Sequence, residues 1–317
     1  MEVLRSPRGL IIDLITPLKR GGDIDGRGLG KQLDRVLPHV HALLLASPYM
    51  GEGNHLKPTQ REELLEKVIV VVRGRVPILV WISQNTEEET RETLALLKKR
   101  LEIRNYTGPV FWIDTPLYYH SNRGLPQHYR KLSSAAEEPF ILHNDPELIK
   151  YLGRPLKRNN IRTGILKDLA QIDNIQGLIF FGSLDRANNY QKAVRSRSDF
   201  RIYDGDESHF LSHPSVSGVI SRGANLAPKA WQKITTSSLN WSGDQKDYPD
   251  YLKQIWEVGG YLSNLKDIYD NFSVPLIKLV LSDMGIIEST TSTFREEDMG
   301  ERTKRLKELM GQYGDYP

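Results

Sequence analysis

Eight short apolar runs, most of them followed by an amphipathic segment, constrain this chain more than any other feature. They are Gly9–Leu14, Ala42–Ala46, Pro77–Ile82, Val110–Ile113, Phe140–Leu142, Thr163–Asp168, Phe200–Tyr203 and Gly218–Ile220. Runs this short and apolar, bounded by turn-forming residues, are read as strands buried on both faces, which is the condition of a parallel sheet. The segments between them carry helical spacing, as with Leu29, Leu33, Val36 and Leu37. Strand and helix in alternation predict an α/β protein, and a count of eight favours a closed (β/α)8 TIM barrel over a doubly wound sheet. No Gly-x-Gly-x-x-Gly follows the first strand, so a dinucleotide site has no support.

Two stretches depart from the alternation. Gly177–Gly182 is a ninth apolar run: either a ninth strand, which would break the eightfold count, or, as preferred here, part of an insertion around 172–190 on the catalytic face. After about Leu239 the strand signal ends, and residues 248–283 and 295–312 read as helices with Trp256, Tyr261, Leu265, Ile268, Leu276 and Leu279 on their apolar side. The expected organisation is a barrel over 1–239 and a C-terminal helical extension over 240–317, joined through Asn240–Asp244. The extension is too thin to fold alone and must pack on the barrel or on a neighbouring subunit.

With 317 residues the chain is long enough for one large domain, and 43 basic against 40 acidic residues are well interspersed. No basic block alternates with aromatics, which argues against nucleic acid as a partner. There is no cysteine, so disulfides, thiolate metal sites and a cysteine nucleophile are excluded. No apolar run is long enough to cross a membrane and none resembles a signal core at Met1–Pro7, so a cytoplasmic protein is expected. His39 with His41, and His209 with His213, are paired by spacing, but without a carboxylate cluster they predict no metal site.

The chemically loaded residue is Lys167, at the end of Thr163-Gly164-Ile165-Leu166-Lys167-Asp168. At the C-terminal end of a barrel strand, burial would favour its neutral amine, which is a nucleophile. The competing reading is a lysine that snorkels from a strand end and pairs with Asp168.

Several segments, in order, resemble the dihydrodipicolinate synthase / N-acetylneuraminate lyase family of class I aldolases. Gly51-Glu52 resembles the end of its Gly-Thr-Thr-Gly-Glu, and Thr115-Pro116 with Tyr118-Tyr119 its Pro-Tyr-Tyr. His143-Asn144-Asp145-Pro146 lies where it has Tyr-Asn-x-Pro, and Gly164–Asp168 is similar to its Gly-x-Lys-acid Schiff-base strand. Gly205-Asp206-Glu207, Gly218–Ser221 with Ala224-Asn225, and Pro275–Lys278 complete the series.

The resemblance implies a lyase in which Lys167 forms a Schiff base with pyruvate or another 2-oxo acid, and a carbon–carbon bond is made or cleaved without a cofactor or metal. His143 would replace the family tyrosine as proton carrier, helped by Tyr118 or Tyr119, one of which points inward. Tyr49, Met50 and Gly51 would form the carboxylate nest, with Gly205 and Ile220 lining the substrate. Leu148 stands where the synthase has an arginine, which argues against authentic dihydrodipicolinate synthase activity. Arg162 or Arg222 could replace that arginine only if the fold aims it inward. Dehydration or deamination of a sugar acid or hydroxy acid by the same lysine, and a non-catalytic 2-oxo-acid-binding relative, are the alternatives. A homo-oligomer, dimer or tetramer, is expected.

Overall fold

The computed structural model describes residues 4–153, 158–239, 248–270, 273–294 and 299–316. Eight parallel strands close into a barrel in sequence order, β1 pairing with both β2 and β8. They are β1 (Gly9–Asp13), β2 (Ala42–Leu45), β3 (Ile78–Trp81), β4 (Val110–Asp114), β5 (Phe140–Asn144), β6 (Ile175–Phe180), β7 (Arg201–Asp204) and β8 (Gly218–Ser221). Side chains alternate across each strand. One set faces the surrounding helices and joins the main core. The other forms a separate apolar plug inside the barrel from Ile11, Ala42, Leu44, Leu79, Trp81, Phe111, Ile113, Ile141, Ile179, Tyr203 and Ile220. The expected (β/α)8 TIM barrel is present, and among the described residues no helix is long and apolar enough to cross a membrane.

The sixth strand corrects the sequence expectation. Thr163–Leu169 is a helix, with Leu166 N–H donating to the Arg162 carbonyl at 2.9 Å and Ala170 N–H to the Leu166 carbonyl at 2.9 Å. Leu166, Leu169 and Ala170 are buried, and that three-then-four spacing is helical. A window closed at Asp168 hides it, because the last two apolar contacts lie beyond. The strand is the run that looked supernumerary: β6 pairs Ile179 with His143 on one side and with Tyr203 on the other. No insertion is needed, since two short helices, Pro146–Tyr151 and Thr163–Leu169, connect β5 to β6.

The C-terminal helices Tyr248–Tyr269, Ser273–Asp283 and Gly300–Gln312 bury Leu262, Leu265, Leu276, Leu281, Leu306 and Met310 in the core shared with the barrel helices. The Asn240–Asp244 connection lies outside the described residues. Pro275–Lys278 supplies one of the polar links in this contact. Lys278, fully buried, forms an ion pair with equally buried Glu52 in the loop after β2, and it also donates to the Thr291 carbonyl at 2.8 Å. Burial draws the Lys278 ammonium below its ordinary range, and the charge of Glu52 opposes that shift. Glu52 has a φ of 51°, in the left-handed region, which costs a non-glycine residue about 1 kcal/mol. Ser292 and Thr293 donate to its other oxygen at 2.6–3.0 Å.

Replacing Lys278 by Met leaves Glu52 buried without its counter-ion, and denaturant unfolding should show a loss of about 3 kcal/mol or more. Adding Glu52→Gln should restore much of that loss. A double variant as unstable as the single one would assign the effect to packing rather than charge.

Candidate active site at the barrel mouth

The residues that follow the apolar plug along each strand form the C-terminal mouth, where α/β barrels place chemistry. From β4 the plug residue Ile113 is followed, two positions on, by Thr115; from β5, Ile141 by His143; from β1, Ile11 by Asp13. Hydrogen bonds connect part of this layer. Trp81 Nε1–H donates to Thr115 Oγ1 at 2.8 Å, and Thr115 Oγ1 lies 2.9 Å from His143 Nδ1. The Thr115 hydroxyl, which accepts from the indole, can donate its own proton to His143 Nδ1; in that arrangement the imidazole carries its hydrogen on Nε2. Burial lowers the His143 imidazole against the charges of Asp145 and Asp114, so the ring stays neutral. A neutral imidazole N–H at a barrel mouth can donate to a carbonyl oxygen as negative charge develops there.

Asp13 is the acid of this layer. Only 5 % exposed, it has an Oδ1 without a hydrogen-bond partner. Burial pushes its carboxyl up to about 7, against a hydrogen bond from Ser47 and the charge of Arg222. A group poised there can both take and return a proton near neutrality. Arg222 follows β8 and is held by acids: its Nη2 reaches Asp270 Oδ1 at 3.2 Å and its Nε lies 3.7 Å from Glu207 Oε2. Burial acts to lower Arg222, but Glu207, Tyr269 and Asp270 hold the guanidinium above its ordinary range. Glu207 is fully buried and accepts from Ser221 Oγ, Gly223 N and Tyr269 Oη at 2.6–2.8 Å, which fixes it beneath Arg222. Asp206, its neighbour, caps a short helix through Ser208 N–H.

The expected nucleophile is not in this layer. Lys167 is exposed on the outer face of the helix Thr163–Leu169, in a surface groove with Asn189 and Lys192. Laid on the true sixth strand, the Gly-x-Lys-acid pattern meets Gly177-Leu178-Ile179-Phe180, with isoleucine in the lysine's register. Phe181, next inward, packs its ring 5.5 Å from that of His143. Among the described residues the one fully buried lysine is Lys278, and Glu52 holds it.

The other expected residues divide. Tyr118 is buried against Trp81, with ring centroids 6.1 Å apart, so it is the member of the tyrosine pair that lies beside the mouth. Tyr119 instead donates to Asp114 Oδ2 at 2.8 Å, and burial with that carboxylate raises its phenol well above the ordinary range. Tyr49 donates to Asp145 Oδ2 at 2.8 Å, and burial with Asp145 raises its phenol in the same way.

Of the backbone amides of Met50 and Gly51 expected to hold a carboxylate, that of Gly51 is already engaged. The Met50 side chain is in the main core and Gly51 N–H already donates to Ser47 Oγ at 2.9 Å. Gly205 follows β7 where a Cβ would come within 2.3 Å of the Phe181 ring, so its role is to admit that ring. Ile220 belongs to the apolar plug.

Of the two arginines considered, Arg222 stands near Asp13, whereas Arg162 lines an outer groove of 880 Å³ with Arg123, Arg130 and Arg158. The paired histidines are structural: His39 contacts Gln232, His41 accepts from Leu10 N–H, and His209 contacts Asp204. Asp13 is the residue that sequence reading missed. A charge at the end of Gly9-Leu10-Ile11-Ile12, in phase with Ile11, was the available signal.

A family model described as the dihydrodipicolinate synthetase family matches residues 6–298. The 4-hydroxy-tetrahydrodipicolinate synthase of Archaeoglobus fulgidus is 27% identical over 316 residues, covering 95% of this chain and 96% of its own. That of Aromatoleum aromaticum is 25% identical over 287 residues, covering 89% of each. Among solved structures, a monomeric dihydrodipicolinate synthase variant superposes with a TM-score of 0.79 at 22% identity, covering 97% of each chain. A prophage protein of the same family from E. coli K12, solved with pyruvate, gives 0.78 at 19% identity, covering 97% of this chain and 98% of its own.

Below about pH 4 the Asp13 carboxyl is neutral in both the folded and the unfolded chain. As pH rises from about 4 to about 7, the unfolded chain releases the proton while the folded chain keeps it, so this group's contribution to stability is lost. Asp13→Asn should therefore match the parent near pH 4 and exceed it by a few kcal/mol, on the order of the shift, at pH 8. Chemical denaturation across that range checks this; a difference that does not grow with pH means that Asp13 titrates normally.

Proposed function

The chain belongs to the dihydrodipicolinate synthetase family, whose members are class I aldolase-type lyases; because Ile179 stands in the register of the family's lysine, we propose a lyase that works without an imine on a small 2-oxo acid at the barrel mouth. The carbon skeleton is cleaved or joined at the carbon adjacent to the oxo group, on its far side, with proton transfer by Asp13 and hydrogen bonding by His143. The observation that carries this reading is the pairing of two facts. β6 presents Ile179 where an imine would need an amine, while β1 presents a buried carboxyl poised at about 7.

In the cleavage direction, Asp13 takes the proton of a hydroxyl two carbons from the oxo group. The carbon–carbon bond breaks, an aldehyde forms, and the bonding electrons pass to the 2-oxo group as an enolate. His143 Nε2–H donates to the enolate oxygen, and Arg222 faces the carboxylate. The proton on Asp13 then returns to the enolate carbon and releases the 2-oxo acid. Every proton and electron pair stays within substrate and carboxyl. Lys167 takes no part.

Ile179 and Phe181, which fill the strand-six side of the mouth, favour a second reading, a binding relative without turnover. Borohydride treatment with a panel of 2-oxo acids should leave Lys167 unmodified, and Lys167→Ala should keep full activity on whichever acid is turned over. Asp13→Asn and His143→Asn should each lower the rate about 10²-fold or more. A reduced adduct on Lys167 would overturn the proposal. A 2-oxo acid that raises the melting temperature without any product would favour the binding relative, and an unbroken skeleton in the product would favour dehydration.

A further inference from the structure

Away from the mouth, Glu87, His120 and His128 each bring one ligand atom to a common point, all within 4.8 Å of one another, the one group of three of its kind among the described residues. They come from three separate elements. Glu87 is the first residue of the helix Glu87–Ile103, His120 lies in the loop after β4, and His128 is on the helix Leu125–Ser133. The two imidazoles stack with centroids 5.0 Å apart at 26°.

The hydrogen bonds behind these rings fix which nitrogens face the point. His120 Nδ1 lies 2.7 Å from the Ser121 carbonyl, which can only accept, so Nδ1 carries the hydrogen and Nε2 keeps its lone pair. His128 Nε2 lies 3.0 Å from Tyr119 Oη, whose own proton goes to Asp114 Oδ2 at 2.8 Å. His128 therefore donates from Nε2 and keeps a lone pair on Nδ1. That Nδ1 is buried, has no hydrogen-bond partner, and sits 3.3 Å from Glu87 Oε1. A lone pair this close to a carboxylate oxygen repels it unless a proton or a cation stands between them.

We propose that Glu87, His120 and His128 bind a first-row divalent cation of the zinc type. Two imidazole nitrogens and one carboxylate oxygen are a ligand set that zinc takes with a fourth position left to water. Backing of each ring by a carbonyl, and by a tyrosine that is itself bonded to a carboxylate, is the outer shell that orients such ligands. Tetrahedral ligands at zinc distances stand about 3.4 Å apart. Closing the site takes a small movement of His120, which is half-buried on a loop. Arg91, one turn along the helix from Glu87, bonds the same carboxylate oxygen and must yield it. Its side chain is half exposed and has solvent to turn into. The bound ion ties the loop after β4 to the helices on either side, and Tyr119 and Asp114 link it to Ser83 and Thr115 at the mouth.

Protein stripped with a chelator and titrated with Co²⁺ should take up one equivalent, with the visible absorption of a four- or five-coordinate site. Zn²⁺ should displace it. His120→Ala and Glu87→Gln alter side chains outside the core and should each weaken uptake about 100-fold, with unchanged circular dichroism. His209→Ala, in the other histidine pair, should bind as the parent does. Absence of the Co²⁺ bands, or bands that persist in His120→Ala, would overturn the proposal and leave a proton between His128 and Glu87.

Discussion

Burying every strand on two faces is the constraint on which the rest of this structure depends. Each inward position of the barrel packs against inward side chains of other strands, and each outward position meets a helix, so neither face tolerates an unpaired polar group except at the strand ends. That is why the interior is a plug of aliphatic and aromatic residues. It is also why polar inward side chains, namely Asp13, Thr115 and His143, appear one layer above it. The mouth is where the period-two pattern runs out of apolar neighbours and water first has access.

The same constraint gives the mouth its chemistry. Thr115 and His143 are tied to Trp81 by hydrogen bonds that leave one imidazole hydrogen directed elsewhere. Asp13 keeps an unpartnered oxygen in a site that disfavours its charge. Glu207, with three donors, spends its charge on holding Arg222. Charged groups here are either fully neutralised, as with Glu52 and Lys278, or left poised. Poised groups are the ones that can act on a substrate.

Seven of the eight strands were legible because their apolar runs are short and bounded by turn residues. The sixth was not, because Thr163–Asp168 and Gly177–Gly182 are both short and apolar, and periodicity cannot separate a buried strand from one turn of a buried helix. Extending the first window to Leu169-Ala170 exposes the helical spacing. With the sixth strand at Ile175–Phe180, Lys167 lies on an outer helix, and Asp13, the buried acid at the end of β1, is the group on which the proposed proton transfer rests. His143 lies on β5, which continues the apolar run Phe140–Leu142.

The sequence by itself determined the alternation of strand and helix, the closed barrel, the helical C-terminal extension and the family, because these rest on residue type and local period. Tertiary structure alone decided which apolar run closes the barrel between β5 and β7, and hence that the inward position there is Ile179. It alone turned Tyr118 toward Trp81 and Tyr119 toward Asp114. It also gathered Glu87, His120 and His128, from three elements, around one point. The reason is the same in each case: neighbouring residues cannot fix a side chain's direction when the partner that fixes it is far along the chain.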